Sequence, residues 1–210
     1  MSYKEKAVHG QWREAPPLVE EIFNLEDALV VAQWLSVFVR RCDVVKIACI
    51  SMLLNVAGPL LTSKSSLLKQ TTFYPMMLFS QYASGTALDA LVQAPKYDTT
   101  RFGEMPLLDV SASQNEATGQ GATFLVNRSQ TEALEVELNW QDQVPARVET
   151  IHQLSGSNAK STNHFSHPNT VVPQTLEGRP IVDGRVTVML PPLSLTVVVT
   201  QHRPSTPSAV

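Results

Sequence analysis

Apolar side chains crowd the stretch from Leu25 to Val39 on nearly every face of a helix: Leu25, Ala28, Leu29, Val30, Val31, Ala32, Trp34, Leu35, Val37, Phe38 and Val39. Asn24 stands before them as a cap, and Glu26 and Asp27 fall in the first turn, where the helix dipole favours anions. The pattern predicts a helix over Asn24–Arg41 that is apolar all round and therefore buried on most sides. Val44–Ile50 is short and rich in β-branched residues and reads as a buried parallel strand, although period alone does not separate such a run from a helix. Gly58-Pro59 breaks the chain. A second helix is expected over Ser65–Tyr82, kinked or interrupted by Pro75. Helix, strand, helix is the order of an α/β layer.

Beyond Ser84-Gly85 the period changes. Short alternating runs appear at Ala87–Val92, Leu107–Ala112, Ala122–Val126, Leu134–Leu138, Arg147–Leu154, Arg185–Leu190 and Leu195–Val199. Thr118-Gly119-Gln120-Gly121, Gly156-Ser157-Asn158, Asp183-Gly184 and Pro191-Pro192 separate them. Short strands at this spacing predict an antiparallel β-sandwich or barrel, and Asp183-Gly184 between apolar runs predicts a hairpin. The chain is thus expected to divide into a helical part, 1–84, a β part, 85–200, and a disordered tail, 201–210.

Composition narrows the function classes. The net charge of −3 and pI of about 5.9 give no basic face for nucleic acid. Arg40-Arg41 reads as a solvated helix end. The polar N-terminus lacks an apolar signal core, and no run approaches the roughly 18 apolar residues of a membrane span, so a cytoplasmic location without a membrane partner is expected. Two cysteines in 210 residues, Cys42 and Cys49, read as buried thiols.

Candidate chemistry is sparse. His164 and His167 lie in a polar loop without a neighbouring carboxylate, and read as surface rather than as a zinc site; no metal and no cofactor is expected. No Gly-x-Ser-x-Gly or Gly-rich phosphate loop occurs, and neither cysteine has an evident activating histidine. Glu20-Glu21 and Glu26-Asp27 are adjacent pairs that do not face one another on a helix. Asn127-Arg128-Ser129 matches a glycosylation sequon but, without a secretion signal, is expected to stay unmodified. The residues alone supply no complete catalytic set.

Longer motifs say more. "APPLVEEIFNLEDALVVAQWLSVFVRRCDVVKIAC", "LNVAGPLLT", "KQTTFYPMMLFSQYASG", "ALDALVQAPKYDT", "PLLDVSAS", "TFLVNRS" and "VDGRVTVMLPPLS" resemble the retaining α-L-arabinofuranosidases, from about Tyr3 to about Val199. The resemblance implies the last helix–strand–helix of a (β/α)8 barrel followed by an antiparallel β-sandwich of jelly-roll type, an α+β fragment. It implies release of terminal non-reducing α-L-arabinofuranosyl groups from arabinoxylan and arabinan by two glutamates about 5 Å apart. In that family the nucleophile's Asp-Glu-Trp-Asn motif precedes the segment matched by Tyr3, so neither catalytic glutamate is expected on this chain. A family Gln that contacts substrate matches Met52, whose thioether cannot replace an amide. Asn55 keeps the family residue and is expected to hold structure at the strand end rather than touch ligand. The expected partners are arabinose-containing oligosaccharides once a barrel is completed, and a complementing N-terminal part or further copies of the chain. The alternative is a non-catalytic interaction or carbohydrate-binding module. Sparse aromatics count against it, since Trp140 is the only tryptophan after Gly85.

Overall fold

The computed structural model describes residues 21–50, 52–141 and 143–202. Helix α1 spans Leu25–Arg40, and Asn24 closes a capping box in which its side chain accepts from the Asp27 amide while the Asp27 carboxylate accepts from its own. A small hairpin follows, β1 (Leu60–Thr62) with β2 (Leu67–Lys69), then helix α2 (Phe73–Tyr82). The expected helix over Ser65–Tyr82 therefore starts only at Phe73. Leu67–Lys69 gives its backbone groups to a strand partner instead, and Pro75 sits in the first turn, where its missing N–H costs nothing.

The remainder is mostly antiparallel sheet. Strands β3 (Thr86–Leu88), β6 (Leu108–Asn115), β7 (Gln120–Asn127), β9 (Arg147–Leu154), β10 (Gln174–Glu177) and β12 (Ser194–Gln201) form one sheet in the order β10-β9-β12-β7-β6-β3. Two separate pairs accompany it: β4 (Lys96–Thr99) with β5 (Gly103–Pro106), and β8 (Leu134–Asn139) with β11 (Arg185–Leu190). Asp183 and Gly184 make the predicted tight turn, both with positive φ, and Val182 and Arg185 exchange backbone hydrogen bonds of 2.9 Å across it. The turn carries one bridge only, because β11 takes its ladder from β8, some fifty residues earlier.

Alternation along the central strands gives the sheet two apolar faces. Ala122, Phe124 and Val126 of β7 and Leu195, Val197 and Val199 of β12 point to one side, where Leu25, Ala28, Leu29 and Ala32 of α1 and Leu78, Phe79 and Tyr82 of α2 cover them. Leu125, Ile151 and Val198 point to the other, under Val186, Val188 and Leu190 of β11, with Trp140 packed at the margin. The helices and the sheet thus share one core that runs across positions 84–85. Gly85 makes that junction, with φ of +83°. A Cβ there would lie 2.2 Å from the carbonyl oxygen of Gln114, so no other residue fits without backbone movement.

Further expectations are corrected. Val44–Ile50 forms no strand: it has no ladder partner among the described residues, and Val44 and Ile47 are 65% and 83% exposed. A strand exists only as part of a sheet, and apolar β-branched content cannot supply the neighbour. Helix α1 is not buried on most sides, since Val30, Trp34, Val37 and Phe38 stand outward. Cys42 and Cys49 are exposed rather than buried, because they lie in the turn after α1 and in that unpaired run. Arg40 does more than solvate a helix end. It donates to the Val110 carbonyl at 2.5 Å and pairs with Asp109 at 3.1 Å, fixing the end of α1 on β6. Of the expected tail, Gln201 closes β12 and His202 is buried; 203–210 lie outside the described residues.

Candidate functional site

Met52 and Asn55 lie in the segment between Val44–Ile50 and β1. Met52 is exposed, next to exposed Leu53 and Leu54. Asn55 and Val56 both have positive φ, which Asn tolerates and a β-branched residue does not. The Asn55 amide is engaged at both ends: Nδ2 donates to the Thr62 hydroxyl at 2.9 Å, and Oδ1 accepts from the Thr62 backbone N–H at 2.8 Å. Its main chain closes the turn, accepting from Gly58 N–H and donating to the Leu60 carbonyl, each at 2.7 Å. Gly58 is obligatory here, since a Cβ would meet the Leu53 carbonyl at 2.8 Å.

What anchors this turn was missed in the sequence. Gln70 is 1% exposed. It donates to the carbonyls of Gly58 (2.8 Å) and Glu21 (3.1 Å) and accepts from the Phe23 N–H. Thr71 donates to the Asn24 carbonyl at 2.6 Å, and buried Asn163 donates to the carbonyls of Lys69 and Val171. The run Lys69-Gln70-Thr71-Thr72 was legible as polar, but inside an expected helix that polarity had no meaning. Together these amides tie the turn, the start of α1 and the 155–173 loop into one assembly.

Several acidic side chains among the described residues are held in separate ion pairs. Glu26 pairs with Lys160, Asp43 with Arg41, Glu104 with Lys96, Glu137 with Arg185 and Glu149 with Arg147, while Asp27 is spent in the capping box. The Arg41 guanidinium holds the Asp43 carboxyl below its ordinary range. Asp109 lies between Arg40 and Arg128. Among the described residues no three His, Cys, Asp or Glu side chains group as a metal site. His164 and His167 close a four-residue turn through mutual backbone hydrogen bonds, with their rings against Thr162 and Ser166. An open groove of about 650 Å³ runs beside Arg179, Pro180, Asp183, Arg185 and Glu137, with no aromatic ring in its lining. Asn127 of the sequon is fully buried.

One titratable pair is built in. The Tyr82 hydroxyl and His152 Nε2 are 2.8 Å apart with the rings stacked, His152 Nδ1 meets the Thr175 hydroxyl at 3.2 Å, and Gln81 donates to Tyr82. Burial lowers the pKa of both His152 and His202 below the ordinary histidine range. A depressed histidine contributes stability that is complete above its unfolded pKa of about 6.5 and declines as pH falls toward the folded value. The melting temperature is therefore expected to be lower at about pH 5.5 than at about pH 7.5, with a smaller drop in His152→Asn. Equal melting temperatures at the two pH values in the parent protein would remove the basis for this linkage.

The comparisons agree with the motifs. Residues 3–194 match the family model described as the α-L-arabinofuranosidase C-terminal domain. An intracellular exo-α-(1→5)-L-arabinofuranosidase from Halalkalibacterium halodurans is 37% identical over 89% of this chain and 37% of its own length. A protein of the same name from Streptomyces lividans is 36% identical over 87% of this chain and 28% of its own. A solved family 51 α-L-arabinofuranosidase from Bifidobacterium longum superposes with a TM-score of 0.83 at 26% identity, covering 92% of this chain and 38% of that one. The chain thus spans about a third of the length of the relatives it matches. No helix among the described residues is long and apolar enough to cross a membrane. With its motifs, its sheet with two flanking helices and this match in agreement, the chain belongs to the α-L-arabinofuranosidase C-terminal domain family.

Proposed function

We propose that this chain acts as the C-terminal part of a cytoplasmic α-L-arabinofuranosidase and releases L-arabinose only when an N-terminal portion completes it. The observation that carries the reading is the match over residues 3–194 to a family whose members here are far longer than the matched region. In this reading residues 1–84 close a (β/α)8 barrel and 85–200 form a jelly-roll sandwich. The run 44–50 becomes a strand only once barrel neighbours flank it. Met52, in the position of the family Gln, weakens sugar contact in the completed site. Asn55, with its amide spent on Thr62, shapes the turn.

The chain alone is expected to release no measurable product from an aryl α-L-arabinofuranoside. Mixing it with the N-terminal portion of the Halalkalibacterium relative, cut before the matched region, is expected to restore release. Turnover by the purified chain alone that disappears on substituting one of its own glutamates would refute the reading.

A further inference from the structure

We propose that His164 and His167 form a two-histidine site for a zinc-class divalent ion, and that the bound ion braces the 155–173 loop against the start of α1. Along the sequence the two lie three apart with no neighbouring carboxylate, a spacing that reads as surface loop. The fold changes their relation. They are the two ends of a tight turn over Phe165-Ser166, paired as an antiparallel bridge. His164 N–H donates to the His167 carbonyl at 3.2 Å, and His167 N–H donates to the His164 carbonyl at 2.9 Å. Residues directly opposite in such a pair place their side chains on one face with Cβ atoms about 4.5–5.5 Å apart. That separation lets two imidazoles share one ion through metal–nitrogen bonds of about 2.0–2.1 Å.

Each ring is held through one nitrogen. His164 Nε2 lies 2.6 Å from the Thr162 hydroxyl, and His167 Nδ1 lies 3.0 Å from the Ser166 hydroxyl. His164 Nδ1 and His167 Nε2 take no hydrogen bond among the described residues, and both side chains are exposed. When an ion takes those two lone pairs, the opposite nitrogens carry the protons and donate to Thr162 and Ser166, which fixes tautomer and ring orientation. The backbone beneath is fixed as well. Buried Asn163 accepts from the Val171 N–H at 2.8 Å and donates to the carbonyls of Lys69 and Val171, and Thr170 donates to the His167 carbonyl. Paired imidazoles suit zinc, nickel or copper(II) rather than magnesium or calcium, and water fills the remaining positions. The same loop gives the Ser161 and Ala159 carbonyls to the Leu25 and Glu26 amides, and Thr162 is bridged to Asn24. An ion that closes the His164–His167 turn therefore restrains the loop on which the first turn of α1 rests.

The test titrates zinc chloride into the full chain carrying Cys42→Ser and Cys49→Ser, because both thiols are exposed and would compete for the metal. One equivalent is expected to bind with a Kd below about 1 mM, shifting the ring resonances of His164 and His167 in the NMR spectrum. His164→Asn and His167→Asn are each expected to weaken binding at least about tenfold. Both positions are exposed, so the melting temperature without zinc should stay that of the parent. Zinc is also expected to slow hydrogen exchange at the Leu25 and Glu26 amides in the parent and in neither variant. An affinity unchanged in either variant, or no binding up to about 1 mM zinc, overturns the site. Binding at the pair with exchange at Leu25 and Glu26 unaltered overturns the bracing role.

Discussion

Replacing Phe124 by alanine is expected to lower the unfolding free energy by about 3–5 kcal/mol, the range for emptying a fully buried aromatic site. Phe124 has no exposed surface and lies stacked on Phe79 with ring centroids 3.9 Å apart. It occupies the middle of β7, where α1 and α2 both reach the sheet, so the cavity would open beneath two helices at once. The helices cannot sink into it, because α1 is held at one end by the Ser161 carbonyl and at the other by Asp109. Phe124→Leu, which keeps most of the volume, should cost markedly less. Denaturant titration checks both. A loss below about 1 kcal/mol for the alanine variant would mean that the helices are not bearing on β7 as described.

Asn127→Ala is expected to cost about 3 kcal/mol, although it removes no hydrophobic surface. The amide donates to the carbonyls of Pro191 (2.8 Å), Glu132 (2.9 Å) and Leu190 (3.2 Å), while its oxygen accepts from the Ser129 N–H. Truncation leaves several of these groups buried and unpaired. Asn127→Asp should be no better, since it keeps the acceptor but aims a negative charge at three carbonyl oxygens. A midpoint within experimental error of the parent in both variants would show that the loops ending β7 and β11 are held by something else. In the folded chain the Asn127 amide of the sequon lies wholly inside the protein.

Several elements could be read directly from the residues, and the reason is specific. Arg147–Leu154 and Arg185–Leu190 were placed with their observed boundaries because both end at turn residues; Arg185–Leu190 alternates strictly, whereas in Arg147–Leu154 the buried Val148, Ile151 and Leu154 fall three apart. The β7 and β12 runs were also visible, and their near-continuous apolar character now has a cause: each is covered on both faces. The hairpin β4–β5 was missed because it is polar and exposed on both sides, so no burial pattern marks it. Strand β10 was missed for the same reason. The helix ending at Tyr82 was started too early because Leu67 and Leu68 fit a helical period as well as a strand, and only the partner Leu60–Thr62 decides. At the candidate site, Met52 and Asn55 were singled out by resemblance rather than by periodicity. Gln70 and Asn163, which hold the surrounding backbone, carried no sequence signal because their role is set by carbonyls distant along the chain.

The docking of α1 has a consequence for biosynthesis. Its first turn hands the Leu25 and Glu26 amides to the carbonyls of Ser161 and Ala159. A ribosome adding about 5–20 residues per second needs roughly 7–27 s to travel from one to the other. For that interval the nascent helix lacks its loop and the strand β12, and its apolar faces are incompletely covered and open to chaperones.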